Sequence, residues 1–381
     1  MIYLDHNATT PLSESVKECI KNNLDYFQNP SSLYKESEPV KMRINAARQN
    51  VAELINCEPN NIIFTGCATE SNNTVLNSCF FKVLPDPKPK HLIVSSVEHP
   101  AVLETVKYYE KYYNVSVTYL PVDSKGRIDV NDVFNAVCDN TVLVSIMLVN
   151  NELGNCYQVE EISRTVHRIN PEILVHTDAT QAIGKMKVDV KKLDVDFLTL
   201  SGHKFYAPKG IGGLYVKDPL TLSPFFHGGH QEQGLRAGTE NYLSIVAMGQ
   251  AAEEAAKYTD YDRIRTLRDA FEEKVIRYIR GSTVLGDTDN RICNTSCLLF
   301  ENYNGIDICE YVNRIAGICI SSGSACSSKD LSLSHVMKAI GVRKIPIRVS
   351  LGRNTTQEDM DNLFKALMKA TNILKSKEKT K

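Results

Sequence analysis

The sequence predicts an α/β fold: a larger domain built on a mostly parallel sheet, followed by a smaller α+β domain. Three observations predict it. Strand-like and helix-like segments alternate from residue 61 to residue 204. One strand-like run, residues 142–149, is apolar on both faces, as a strand covered on both sides of a sheet has to be. Near residue 255 the texture changes to two long helical patterns and then short mixed elements. The boundaries read as 15–255 for the large domain, with 1–14 and 256–381 forming the small one.

Residues 61–64 are a short apolar run, and a helical stretch from 69 to 83 follows. Residues 91–95 are strand-like, and a helical segment starts at His99. Further β-rich runs occupy 115–120, 142–149, 173–177 and 196–200. Strands spaced by helices imply βαβ units and hence parallel pairing. The glycine-rich 210–213 stretch resembles a dinucleotide loop, but it runs into the strand-like Leu214-Tyr215-Val216 rather than opening a helix, so that reading is rejected. Helical patterns then fill 240–257 and 262–280. A strand at 295–300, a helix at 306–316 and a closing helix at 357–375 come next, and 376–381 is a charged tail.

The 381 residues are 43% hydrophobic and 23% charged, with formal net charge −1. That balance is an ordinary globular one and offers no bulk basic excess for direct nucleic-acid binding. No apolar run approaches the ~18–20 residues that span a bilayer, and the first residues lack a secretory pattern. Eleven cysteines, an odd number with no C-x-x-C pair, suit reduced thiols and a cytoplasmic protein. Cys293 and Cys297 read as core thiols. His227 and His230 flank two glycines but recruit no further ligands, so no metal site is expected.

Ligands in open α/β sheets bind beyond the carboxyl ends of strands. Five polar clusters stand at such ends: 66–69, Glu98-His99, 150–152, 178–181 and 201–204. Lys204, in Ser201-Gly202-His203-Lys204, is a candidate Schiff-base nucleophile. Ala68-Thr69 opens a helix whose free amides suit a phosphate, while Thr69 equally suits a plain N-cap. Ser201 and His203 could add phosphate contacts. Asp178 could pair with a pyridine nitrogen or cap the next helix, and Gln181 could donate to a phenolic oxygen. His99 is either an acid–base group or a turn residue. Cys326 lies among small residues, Ser-Ser-Gly-Ser-Ala-Cys-Ser-Ser, where a thiol can reach a pocket and leave it; the alternative is a buried small hydrophobe. Arg348 suits a bidentate grip on a carboxylate or a surface ion pair.

Taken together, these motifs resemble the cysteine desulfurases of the NifS/IscS type, within the fold-type-I enzymes that use pyridoxal 5'-phosphate (PLP). The resemblance runs through residues 3–11, 29–32, 68–73, 98–99, 150–154, 178–181, 202–204, 234–239, 321–326 and 348–353. It implies a large domain with a seven-stranded, mostly parallel sheet. It implies that Lys204 binds the cofactor covalently and that Cys326 carries the persulfide. By the same resemblance His99 stacks on the cofactor, Asp178 holds its ring nitrogen and Gln181 its phenolic oxygen. Ala68, Thr69, Ser201 and His203 bind phosphate, and Asn151 and Arg348 position the cofactor or the substrate carboxylate. Thr239 would reach the phosphate of a neighbouring subunit, implying a homodimer. The product sulfur would pass to an acceptor or scaffold protein for iron–sulfur clusters, tRNA thiolation, DNA phosphorothioation or a thio-cofactor.

Three positions depart from the family pattern: His230, Gln233 and Cys67. Two other activities share much of the motif set. An aminotransferase has no need of Cys326, and a selenocysteine lyase would prefer the selenium substrate. A non-catalytic sulfur-acceptor scaffold is the third alternative, which the full set of catalytic residue types argues against.

Overall fold

The computed structural model describes residues 1–81, 90–323 and 333–378. Among these are twelve strands: β1 (Ile2–Tyr3), β2 (Ile62–Thr65), β3 (Lys90–Ser95), β4 (Val115–Leu120), β5 (Thr141–Ser145), β6 (Leu174–Asp178), β7 (Phe197–Ser201), β8 (Gly212–Val216), β9 (Ser282–Val284), β10 (Thr295–Phe300), β11 (Ile318–Cys319) and β12 (Ile347–Ser350). Seven form one sheet in the order β2-β8-β7-β6-β5-β3-β4. Only β8 runs against its neighbours, pairing antiparallel with β2 and β7. The other pairings are parallel. The expected mostly parallel seven-stranded sheet is therefore what forms.

Period-two alternation divides the strand side chains between two apolar layers. Leu92, Val94, Leu143 and Phe197 pack with Val75, Val102 and Val106 of the helices Ala68–Phe81 and Pro100–Tyr112. Ile93, Val144 and Leu198 point the other way, into a larger core with Ile44, Val51, Ile162 and Met248. A third apolar cluster gathers Leu4 with Phe271, Leu298, Ile347, Val349 and Leu363. It surrounds the small sheet β12-β10-β9.

The run at 142–149 behaves differently from its sequence pattern. The strand ends at Ser145, although residues 146–149 stay buried. The Met147 amide does not take a strand partner; it donates to the Glu98 carboxyl at 2.9 Å. The chain then folds back, bridging Val149 to Cys156. Helices Glu14–Asn22, Glu38–Ile55 and Val159–Ile169 add elements that the sequence pattern did not mark.

Residues 1–10 tie the two sheets together. β1 pairs with β11, Asp5 bridges to Ser350, and the Thr10 amide donates to the His203 carbonyl at 2.8 Å. This crossing brings Asn7 and Ala8 to the carboxyl ends of β6 and β7.

Candidate active site

A cavity of about 270 Å³ opens at the carboxyl ends of the parallel strands. Each strand delivers a polar group as it ends. Asp178 is the last residue of β6 and Ser201 the last of β7. After Ser201 the chain enters a single 3₁₀ turn, Gly202–Lys204. Gly202 permits that turn because a Cβ there would come 2.8 Å from Ile211 and 3.1 Å from Ala207. Lys204 thereby enters the cavity and donates to the carbonyls of Asn7 (2.6 Å) and Ala8 (2.7 Å).

Asp178 is 6% exposed and is held on both oxygens. Asn72 donates to Oδ2 at 2.8 Å, and the Thr180 amide donates to Oδ1 at 3.0 Å. The carboxylate thus keeps one orientation.

His99 caps the helix Pro100–Tyr112, with Pro100 in the first turn, where its missing N–H costs nothing. Its Nδ1 accepts from the Ala101 amide at 3.1 Å, so the proton of the neutral ring lies on Nε2. Burial holds the His99 pKa below its ordinary value, with the charges of Lys204 and His335 adding to the fall and Asp178 opposing it.

Opposite these groups stands Arg348, on β12 and 2% exposed. Its guanidinium donates to the Asn151 carbonyl (2.9 Å) and to Asp5 (2.8 Å). Its Nε has no partner among the described residues. Asn151 and Gln181 also line the cavity.

The helix Ala68–Phe81 points its first turn at the cavity, and Ala68, Thr69 and His203 line that end. Gly212 lets the helix start approach so closely: a Cβ there would meet the Cys67 backbone at 2.7 Å. The exposed thiol of Cys67 lies at the same end. Burial, followed by the charge of Lys204, pulls His203 down to about 4, leaving it a neutral donor or acceptor.

The donor set fits PLP. An amine, an oriented carboxylate and a neutral imidazole line one cavity, whose end is a helix N-terminus beside hydroxyls and whose walls include Met147 and Val149. Thr180 Oγ1 is buried at the cavity wall with no hydrogen-bond partner among the described residues, as a group awaiting a polar ligand would be.

Ten of the twelve sequence-predicted site residues meet here: Ala68, Thr69, His99, Asn151, Asp178, Gln181, Ser201, His203, Lys204 and Arg348. Thr239 is exposed and does not line the cavity. Cys326 lies outside the described residues. Sequence reasoning gave no role to Asn7, Ala8, Glu152 or His335, which also line the cavity. Asn7 and Ala8 sit in the 3–11 motif, which was the available signal. A larger groove of about 1100 Å³, walled by Asp123, Arg127 and Tyr157, holds none of the predicted residues.

Comparison with known proteins agrees with this layout. The family model described as aminotransferase class-V matches residues 2–363. The cysteine desulfurase NifS of Azotobacter vinelandii is 39% identical over 372 residues, covering 96% of this chain and 91% of the relative. A solved NifS-like protein superposes with a TM-score of 0.90 at 33% identity, covering 98% of this chain and 99% of the other. A structure described as SspA in complex with cysteine superposes with a TM-score of 0.80 at 36% identity, covering 92% and 99%.

Proposed function

The chain belongs to the class-V aminotransferase family as a PLP-dependent cysteine desulfurase, and from that premise we propose how its own residues divide the work. The carrying observation is that Lys204, Asp178, His99 and Arg348 converge on one cavity. When bound, PLP supplies an aldehyde that condenses with amines and a ring that withdraws electrons from the substrate α-carbon.

Lys204 would hold the cofactor through its amine, and the same amine would carry the α-proton of the substrate. The locked carboxylate of Asp178 would pair with the ring nitrogen, and Gln181 would donate to the ring oxygen. Ala68, Thr69, Ser201 and His203 hold the phosphate, which the dipole of the helix Ala68–Phe81 favours. Arg348 and Asn151 orient the carboxylate of the substrate cysteine. His99, neutral and protonated on Nε2, exchanges protons at the reacting centre. Sulfur goes to Cys326: its thiolate forms the new S–S bond, the substrate C–S bond breaks, and the carbon skeleton leaves as alanine.

The test uses two variants of the whole enzyme. Lys204→Ala is expected to lack the visible band of the linked cofactor, and Cys326→Ala is expected to keep that band but release no alanine. Incubation with sulfur-labelled cysteine should label Cys326, and the protein that then takes the label identifies the acceptor. An unchanged spectrum in the first variant, or normal alanine release in the second, would overturn these assignments. Acceptors in iron–sulfur, tRNA, DNA phosphorothioate or thio-cofactor assembly are all compatible with this chemistry.

We propose further that the enzyme is a cytoplasmic homodimer in which exposed Thr239 reaches the partner's phosphate. The cysteines among the described residues are all free thiols, which suits a reducing compartment. No described helix is long and apolar enough to cross a membrane. A two-domain division at 15–255 is supported by the separate apolar cluster joining Leu4 to residues beyond 261.

A further inference from the structure

The assignments above leave one amine beside the cavity without a role. Lys185 Nζ donates to Gln181 Oε1 at 2.6 Å and to Asn7 Oδ1 at 3.1 Å. It lines a second cavity of about 20 Å³ that shares Lys204 with the first.

The contacts around it are directional. The two ends of a carboxamide have nearly the same size, so its neighbours decide which way it faces. Gln181 lies between Lys185, which donates, and the Asn7 carbonyl, which can only accept. Its oxygen therefore faces Lys185, and its Nε2 donates to the Asn7 carbonyl at 3.0 Å. That carbonyl also receives Lys204 at 2.6 Å. The Asn7 side chain is fixed as well: Asn294 donates to Oδ1 (3.1 Å), while Nδ2 donates to Thr295 Oγ1 (2.8 Å) and the Asn151 carbonyl (3.2 Å). Both lysines thus lean on one immobile asparagine.

We propose that Lys185 is a positioning residue that holds the Gln181 carboxamide with its NH₂ end turned from Lys185, so that Gln181 offers the ring oxygen of the cofactor a donor and not an acceptor. The proposal rests on the assignment of Gln181 to that oxygen. The charges around Lys185 are few. Its amine is held down to about 7, by burial first and then by the charges of Lys204 and Arg348, with Cys293 opposing. His6 and His203 also face it, both held near 4 and so uncharged at neutral pH. A donor on the ring oxygen stabilises that oxygen's deprotonated form, so losing the donor raises the pH at which the visible band of the cofactor titrates.

The experiment follows that titration in holoenzyme carrying Gln181→Met, Lys185→Met, Lys185→Gln or the double Met variant. Gln181→Met and Lys185→Met are each expected to raise the midpoint by about one pH unit. Lys185→Gln, which still offers a donor, is expected to raise it less, and it carries the test if Lys185→Met does not fold. The double variant should shift no further than Gln181→Met alone, because Lys185 acts through the amide. A folded Lys185→Met enzyme within about 0.2 unit of the parent, alongside a shifted Gln181→Met, overturns the proposal. So does a double variant showing the sum of both shifts. If Gln181→Met itself leaves the midpoint in place, the assignment of Gln181 fails and the proposal falls with it.

Discussion

Glu98, the neighbour of His99, is fully buried. Its Oε1 accepts from Ser95 Oγ (2.6 Å) and the Met147 amide (2.9 Å), while Oε2 has no partner among the described residues. Burial pushes its carboxyl up to about 8 despite those two donors. A folded-state pKa above the unfolded one contributes stability that is complete below about pH 4.5 and lost as pH rises through about 8. Glu98→Gln imitates the protonated form and is expected to remove that loss, flattening the decline between pH 5 and pH 8 by about 1–3 kcal/mol. Urea denaturation of parent and variant at both pH values measures it, and equal declines would refute the neutral carboxyl. At this scale the sequence was readable where a polar residue follows an apolar strand run, as Asp178 follows 173–177 and Lys204 follows 196–200. The partners that orient them were not readable. Asn72 lies 106 positions from Asp178, and Asp5 lies 343 from Arg348. Only folding makes such pairs adjacent.

Among elements, the helix Tyr242–Lys257 packs against the helix Glu38–Ile55 through Gly249. A Cβ at Gly249 would lie 2.5 Å from both Cα and Cβ of Ala47. Backbone so close cannot yield by a rotamer change, so the helices would have to separate. Gly249→Ala is therefore expected to lower stability by about 1–3 kcal/mol despite the better helix propensity of alanine. A denaturant midpoint equal to the parent's would contradict this contact. The first of these helices was legible from its pattern, beginning within two residues of the expected start. Its partner was harder to read, because two of its buried positions, Ala47 and Ala52, carry small side chains that give a weak apolar stripe. The run at 142–149 was overread for a different reason. Hydrophobicity reports burial, whereas pairing past Ser145 is one-sided: the Ile146 and Leu148 amides still bond β6, while the Met147 amide goes to the Glu98 carboxyl.

For the whole molecule, a mostly parallel sheet and a smaller second domain follow from alternation along the chain, the count of seven strands came from the family resemblance, and surface association follows from neither. Phe27, Leu33, Met42 and Phe226 are exposed apolar side chains, with Phe27 85% exposed. Glu232 and Gln233 occupy left-handed backbone at φ 47° and 60°, and Glu232 is anchored by a bidentate pair with Arg48 at 2.7 and 2.6 Å. A strained, anchored segment leading to Thr239 suits a surface shaped for a second copy. Sedimentation equilibrium is expected to give twice the 42.6 kDa chain mass, and Phe27→Glu is expected to raise the dissociation constant at least tenfold. A parent that sediments as a monomer at micromolar concentration would remove Thr239 from the site.

The crossing of residues 1–10 also has a bearing on biosynthesis. The Asn7 amide donates to the Ser350 hydroxyl, its partner 343 positions later. At roughly 5–20 residues per second, translation separates the two by about 20–70 seconds. Throughout that interval Asn7, whose carbonyl receives Lys204, lacks this one of its anchors. The strands of the central sheet, which end at Val216, are thus made well before the residue that ties Asn7 beside Lys204.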